Sequence, residues 1–108
     1  MVTVMAFVTV AEDAPDALAA YFSVTDPLLK RAGARIVKRF SIHDVVVGNR
    51  PAQTVVMVEY PSREAVDMVF GSPEYASVIP QRDRAFLDYA ITIIDDPAAV
   101  PVSLPATP

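Results

Sequence analysis

Val2, Val4, Ala6, Val8 and Val10 alternate with Thr3, Met5, Phe7 and Thr9, a period of two that predicts an opening strand apolar on both faces. Glu12-Asp13 makes an acidic turn and Pro15 opens a helix, whose inward stripe is expected to hold Leu18, Ala19, Tyr21 and Phe22. Pro27 falls inside the helical pattern, so Asp26 is expected to cap a second short segment over 27–32, closed by Gly33. Residues 34–47 read as one long extended stretch, with Ile36, Lys38 and Phe40 on one side and Arg35, Val37 and Arg39 on the other. Its weakest part, 41–44, predicts a bend or bulge. Gly48-Asn49-Arg50-Pro51 then supplies a hairpin connection.

The stretch from Thr54 to Arg82 carries the clearest punctuation. Thr54–Tyr60 is β-branched or apolar except at Glu59, which suits a buried strand. Pro61 has no N–H for a ladder and ends it. Ser62 then caps a helix with Glu64 in its first turn; Ala65, Val66, Val69 and Phe70 recur at helical spacing, and Gly71 is expected as a left-handed stop. Ser72-Pro73-Glu74 repeats the start signal for a further helix. A final strand over 86–95 is expected to place Leu87, Tyr89, Ile91 and Ile93 on one face. The order is β-α-β-β-α-β, an α+β arrangement of four antiparallel strands with both helical regions on one side. Residues 1–95 form the domain, and 96–108, with Pro97, Pro101, Pro105 and Pro108, read as a polyproline-like tail.

Helices on one side leave a bare sheet face. Phe7, Val37, Met57 and Leu87 are residues suited to covering it in a homodimer. With 53 % hydrophobic and 20 % charged residues in 108, the chain is neither disordered nor built to span a membrane by helices, since its longest apolar runs are strand-sized. A net charge of -4 with two lysines argues against nucleic acid or an anionic membrane as partner. The absence of cysteine removes disulfides and thiol chemistry and fits a cytoplasmic protein.

Few side chains offer chemistry. His43 is the sole histidine, a general base if it reaches a pocket and a solvent-facing residue at a bend if it does not; regular alternation would separate it from Asp44. Arg39 can hold a carboxylate or enolate oxygen, or pair with Glu59 on the neighbouring strand. Glu59 can serve as acid or base if desolvated, or close a strand end against Arg39 or Arg82. Tyr21, Tyr75 and Tyr89 offer hydroxyls for orienting an aromatic ligand, or for a satisfied core. Arg82, Asp83 and Arg84 suit a solvated helix end, with Arg82 also able to face a cavity. Clustered metal ligands, a glycine-rich phosphate cradle and a nucleophile elbow are all missing, so neither a metal nor a tightly held cofactor is expected.

Glu59-Tyr60-Pro61-Ser62, Glu64-Ala65, Ser72-Pro73-Glu74-Tyr75 and Arg82, with Tyr21, Gly33 and Arg39 upstream, resemble the signature of the family called domain of unknown function 1330. That family lies in the dimeric α/β-barrel superfamily of ferredoxin-like domains, and the resemblance covers roughly residues 4–95. The chain departs from its pattern at Gly33-Ala34, where a second glycine is usual, at Val47, where an acid usually precedes Gly48, and at Pro80 inside a normally longer helix. The resemblance implies two sheets paired into a barrel, with a pocket between helices and sheet. It further implies a small apolar or aromatic carboxylate-like ligand, and cofactor-free oxygenation, cyclisation or isomerisation if there is turnover. In that case His43 would take a proton, Arg39 would hold the developing enolate and Glu59 would position Arg39, with Tyr21, Tyr75 and Arg82 binding substrate. A non-catalytic ligand-binding or structural dimer is the alternative.

Overall fold

The computed structural model describes residues 1–94; the expected tail over 96–108 lies outside them. The elements are β1 (Val2–Val10), α1 (Pro15–Arg31), β2 (Arg35–Ser41), β3 (Thr54–Tyr60), α2 (Arg63–Phe70), α3 (Pro73–Ser77), α4 (Ile79–Ala85) and β4 (Phe86–Ile94). The strands form one antiparallel sheet in the order β2-β3-β1-β4, the ferredoxin-like arrangement. The second helical region is split in three. Pro80 opens α4 after a hinge at Val78, which ends α3 and starts α4.

Alternation in β1 sorts the two faces. Val4 and Ala6 are buried beneath the helices, in line with Val58 and Val56 of β3 and with Ile93 and Ile91 of β4. The opposite face carries Met5 and Phe7, aligned with Met57 and Val55.

Two bulges reset this alternation at the sheet edges. In β2, Ile36 lies opposite Val58 and Lys38 opposite Met57, so Val37 is the extra residue. The insertion turns Arg39, opposite Val56, to the helix side with Ile36, and sends Lys38 and Phe40 to the other side. The expected grouping of Ile36 with Lys38 and Phe40 is thereby corrected, and the bulge lies at Val37 rather than at 41–44. The strand stops at Ser41, short of the expected 47, and a loop containing Gly48 (φ +90°) leads to β3. In β4, Val10 pairs with Phe86 and Thr9 with Asp88. Leu87 is bulged out and 74 % exposed, while Phe86 and Tyr89 share the inner face. Leu87 therefore leaves the row predicted for it.

Helix α1 runs through Pro27 without the second start expected at Asp26. An internal proline costs about 3 kcal/mol. Burial of Thr25 and Leu28 on either side of it holds the last turns in place. So does a Schellman close, in which Ala34 N–H donates to Leu29 O at 2.9 Å and Gly33 N–H to Lys30 O at 3.1 Å. Gly33 sits at φ +75°, and a Cβ there would also meet Pro61 Cγ at 3.1 Å. The buried stripe of α1 is Ala17, Tyr21, Thr25 and Leu28; Ala19 points outward, against the prediction, while Phe22 is partly exposed but turns its ring onto Tyr21 and Phe86 at the cavity.

Ser62 and Ser72 cap as expected, accepting from Ala65 N–H at 3.2 Å and Tyr75 N–H at 3.0 Å. Gly71 ends α2 at φ −94°, not in the left-handed region. Its glycine answers a space constraint, since a Cβ would lie 2.8 Å from the Asp67 carbonyl oxygen.

Candidate functional site

Between the inner sheet face and the helices lies a cavity of about 240 Å³. Val4, Ala6, Val8 and Val56 form part of its floor, with Leu29 of α1 and Val69 of α2 above. Arg39 and Asp26 line both the cavity and the shallow depression beside β2, and so mark its mouth. Among the described residues Arg39 forms no ion pair.

The wall towards β4 carries three phenols from three elements. Tyr21 comes from α1, Tyr75 from the first turn of α3, which the Ser72 cap fixes, and Tyr89 from β4. Their hydroxyls touch pairwise: Tyr21 with Tyr75 at 3.1 Å, Tyr75 with Tyr89 at 2.8 Å, and Tyr21 with Tyr89. Arg82 of α4 donates from Nη1 to Tyr75 Oη at 3.3 Å, and its guanidinium lies 5.2 Å from the Tyr89 ring centre and 5.9 Å from that of Tyr75. Both are cation–π distances. Arg82 thus stands behind the phenols, lining a groove on their far side, while Asp83 and Arg84 are exposed.

Burial raises the Tyr21 and Tyr89 hydroxyls above the ordinary phenol range and pushes Tyr60 up to about 12. These groups are neutral at physiological pH, so they act as hydrogen-bonding phenols and not as bases. The unfolded chain ionises near 10 and the folded one later, so the folded state binds more protons above that point. Stability is then complete below about pH 10 and falls as pH rises towards 12. Urea midpoints at pH 9 and pH 11 should show a drop, smaller in Tyr60→Phe; equal midpoints would mean that the phenols ionise alike in both states.

The structure does not bring His43, Arg39 and Glu59 together. His43 is in the loop after β2, 94 % exposed, with its Nδ1 3.2 Å from Asp44 Oδ2. The predicted separation of that pair fails because the strand has already ended, so alternation no longer applies. Glu59 is on the outer face, in register with Arg35 and paired with it. The Val37 bulge places Arg39 on the opposite face, which removes the expected Arg39–Glu59 pair. Tyr21 and Tyr75 do meet at the cavity, with Arg82 against Tyr75. Tyr89 faces inward with Ile91 and Ile93, as alternation predicts; that its hydroxyl meets those of Tyr21 and Tyr75 has no local signal, because the three phenols come from elements distant in the chain. Among the described residues there is no group of three or more metal-ligating side chains and no helix long and apolar enough to cross a membrane.

An antiparallel sheet backed on one side by helices, with an apolar cavity between the layers, defines a ferredoxin-like α+β domain. The chain belongs to the family described as Domain of unknown function (DUF1330), which it matches over residues 3–96. It is similar to a protein of unknown function from Rhodopseudomonas palustris, with 21 % identity, 86 % of this chain and 79 % of that one covered, and a TM-score of 0.71. It also shares its fold with a protein from Bacteroides fragilis described as dimeric and ferredoxin-like (11 % identity, 88 % and 95 % covered, TM-score 0.52). A third is an ethyl tert-butyl ether D (EthD) family protein from Bacillus halodurans (19 % identity, 89 % and 98 % covered, TM-score 0.56). No curated protein matches the chain.

Proposed function

We propose that this protein is a homodimer whose protomers each bind a small single-ring carboxylate in the cavity between sheet and helices. The observation that carries the reading is an apolar chamber with an unpaired arginine, Arg39, at its mouth among the described residues. Its 240 Å³ falls below the ~300–1,000 Å³ of sites for drug-sized ligands, which favours one ring over a fused system. Tyr21 and Tyr75 orient the ring, and Arg82 supports them from behind. Turnover would need a base. Among the lining side chains Asp26 is the carboxylate, and it sits at the mouth, so the arrangement favours binding over catalysis.

Phenylacetate, as probe, should raise the melting temperature, because it binds the folded state alone. Arg39→Ala should weaken it about tenfold or more, the loss of one charge-assisted hydrogen-bonded pair. Titration calorimetry measures both. An equal loss for uncharged benzyl alcohol would remove the charge of Arg39 from the reading.

The dimer half of the proposal rests on the outer sheet face. Phe40, Val55, Phe7 and Ala90 form one row across all four strands, and Lys38, Met57, Met5 and Thr92 the next. A contiguous apolar row of this length favours a partner surface, and a second copy offers the same row in return.

A further inference from the structure

We infer that the hydroxyls of Tyr21, Tyr75 and Tyr89, backed by Arg82, form an anion-receiving pole at the β4 end of the cavity, which takes the phenolate oxygen of a hydroxylated aromatic acid. The inference rests on the cavity being a ligand site and adds the second functional group of that ligand.

A proton count supports it. A phenol donates one hydrogen bond and accepts others. Three hydroxyls in pairwise contact close a ring in which each gives its one proton to the next. Tyr75 then also accepts from Arg82 Nη1. The closed cluster satisfies itself, yet each proton moves by rotation about a single C–O bond. An oxyanion entering from the cavity can therefore accept hydrogen bonds from the ring hydroxyls without displacement of a side chain. Tyr21 and Tyr75 are 5 % and 3 % exposed, so such bonds form away from competing water, where they are strongest.

Charge favours the same sign of ligand. The guanidinium of Arg82 rests against the rings of Tyr75 and Tyr89 and donates to the Tyr75 hydroxyl, which is in turn hydrogen-bonded to Tyr21. Its partner carboxylate, Asp83 at 3.2 Å from Nη2, is exposed and turned to solvent. Asp83 also lies 3.3 Å from Nε, but as an exposed carboxylate it is screened by solvent, so the guanidinium is the charge nearest the neutral phenols. A self-satisfied core cluster would not need a cation on its rings or a cavity on its open side.

Geometry fixes the second group of the ligand. Arg39 is on β2 and Tyr89 on β4, the two edges of the sheet. Arg39 stands level with Ile91, one inner position along β4 from Tyr89, so three strand spacings and a two-residue step set their Cα atoms roughly 16 Å apart, and both side chains line the cavity. The cavity of about 240 Å³ between them has room for one ring with a carboxylate at one end and an oxygen at the other.

The test uses 4-hydroxy-3-nitrophenylacetate, whose phenolate is coloured, so its ionisation can be followed in the bound state. Converging donors and a cation should lower the midpoint on binding by about one pH unit, equivalent to about tenfold tighter binding of the phenolate than of the phenol. The proton leaves to buffer. Tyr89→Phe and Arg82→Gln, each confirmed as folded by circular dichroism, should lose at least half of that shift. A midpoint unchanged or raised while phenylacetate still binds overturns the pole and leaves the cavity reading standing, as does a full shift in both folded variants. Failure of both probes to bind overturns both readings.

Discussion

Tyr21→Ala is expected to destabilise the domain by about 3–5 kcal/mol, the range for truncating a buried aromatic residue. Tyr21 is 5 % exposed and meets four rings edge-on: Phe22, Tyr75, Phe86 and Tyr89, at centroid distances of 5.7, 6.0, 5.4 and 6.1 Å. It joins α1 to both α3 and β4, so its loss opens the contact between the helical layer and the sheet. The void left merges with a chamber that is already present, which the surrounding side chains cannot close by small shifts. For a domain of this size each kcal/mol shifts Tm by about 4–8 °C, and the fall should exceed about 12 °C. Tyr21→Phe keeps the ring contacts and should cost only about 1 kcal/mol, the worth of a hydrogen bond. Thermal and urea unfolding measure both variants. A small loss in the alanine variant would mean that helix α1 is held by its aliphatic contacts and not by the aromatic cluster.

Phe7→Glu is expected to convert the proposed homodimer to monomer at concentrations where the unsubstituted protein pairs. Phe7 lies at the middle of the outer row, between Val55 and Ala90. A two-fold interface uses the same residue from both copies, so the substitution buries two carboxylates facing apolar partners. One uncompensated buried charge costs about 3–5 kcal/mol, and the dissociation constant should rise by at least about 100-fold. The inner core does not touch Phe7, so the fold itself should survive. Sedimentation equilibrium with circular dichroism separates the two effects. A folded variant that stays dimeric would move the interface off this face, and an unsubstituted protein that is monomeric at high concentration would remove the dimer.

Much of the fold was legible because its signals are local. A period of two marked β1, an apolar β-branched run marked β3, serines with following acids marked α2 and α3, and Gly33 marked the end of α1. Each of these is set by residues within a few positions of one another. Gly71 shows where a local rule misleads: glycine was required, but for the space beside the Asp67 carbonyl rather than for a left-handed angle. Pro27 shows the same, since its local cost is offset by burial of Thr25 and Leu28 that only the folded chain supplies.

The candidate site was legible only in its residue types. Tyr21, Tyr75, Arg82 and Arg39 could be singled out, but which of them meet depends on the phase of the edge strands. An extra residue at Val37 turns Arg39 inward and away from Glu59, and another at Leu87 brings Phe86 onto the same inner face as Tyr89. A bulge is a property of two paired strands, and neither strand alone encodes it strongly.

Sequence by itself determined the element order, the serine caps of α2 and α3 and a sheet with apolar residues on both faces, because propensity, capping and periodicity act over a few residues. Tertiary structure decided which face each edge residue joins and where α1 runs on past its proline. It also decided that three phenols and an arginine from four elements converge on one cavity wall, because pairing register and burial are settled only between segments distant in the chain.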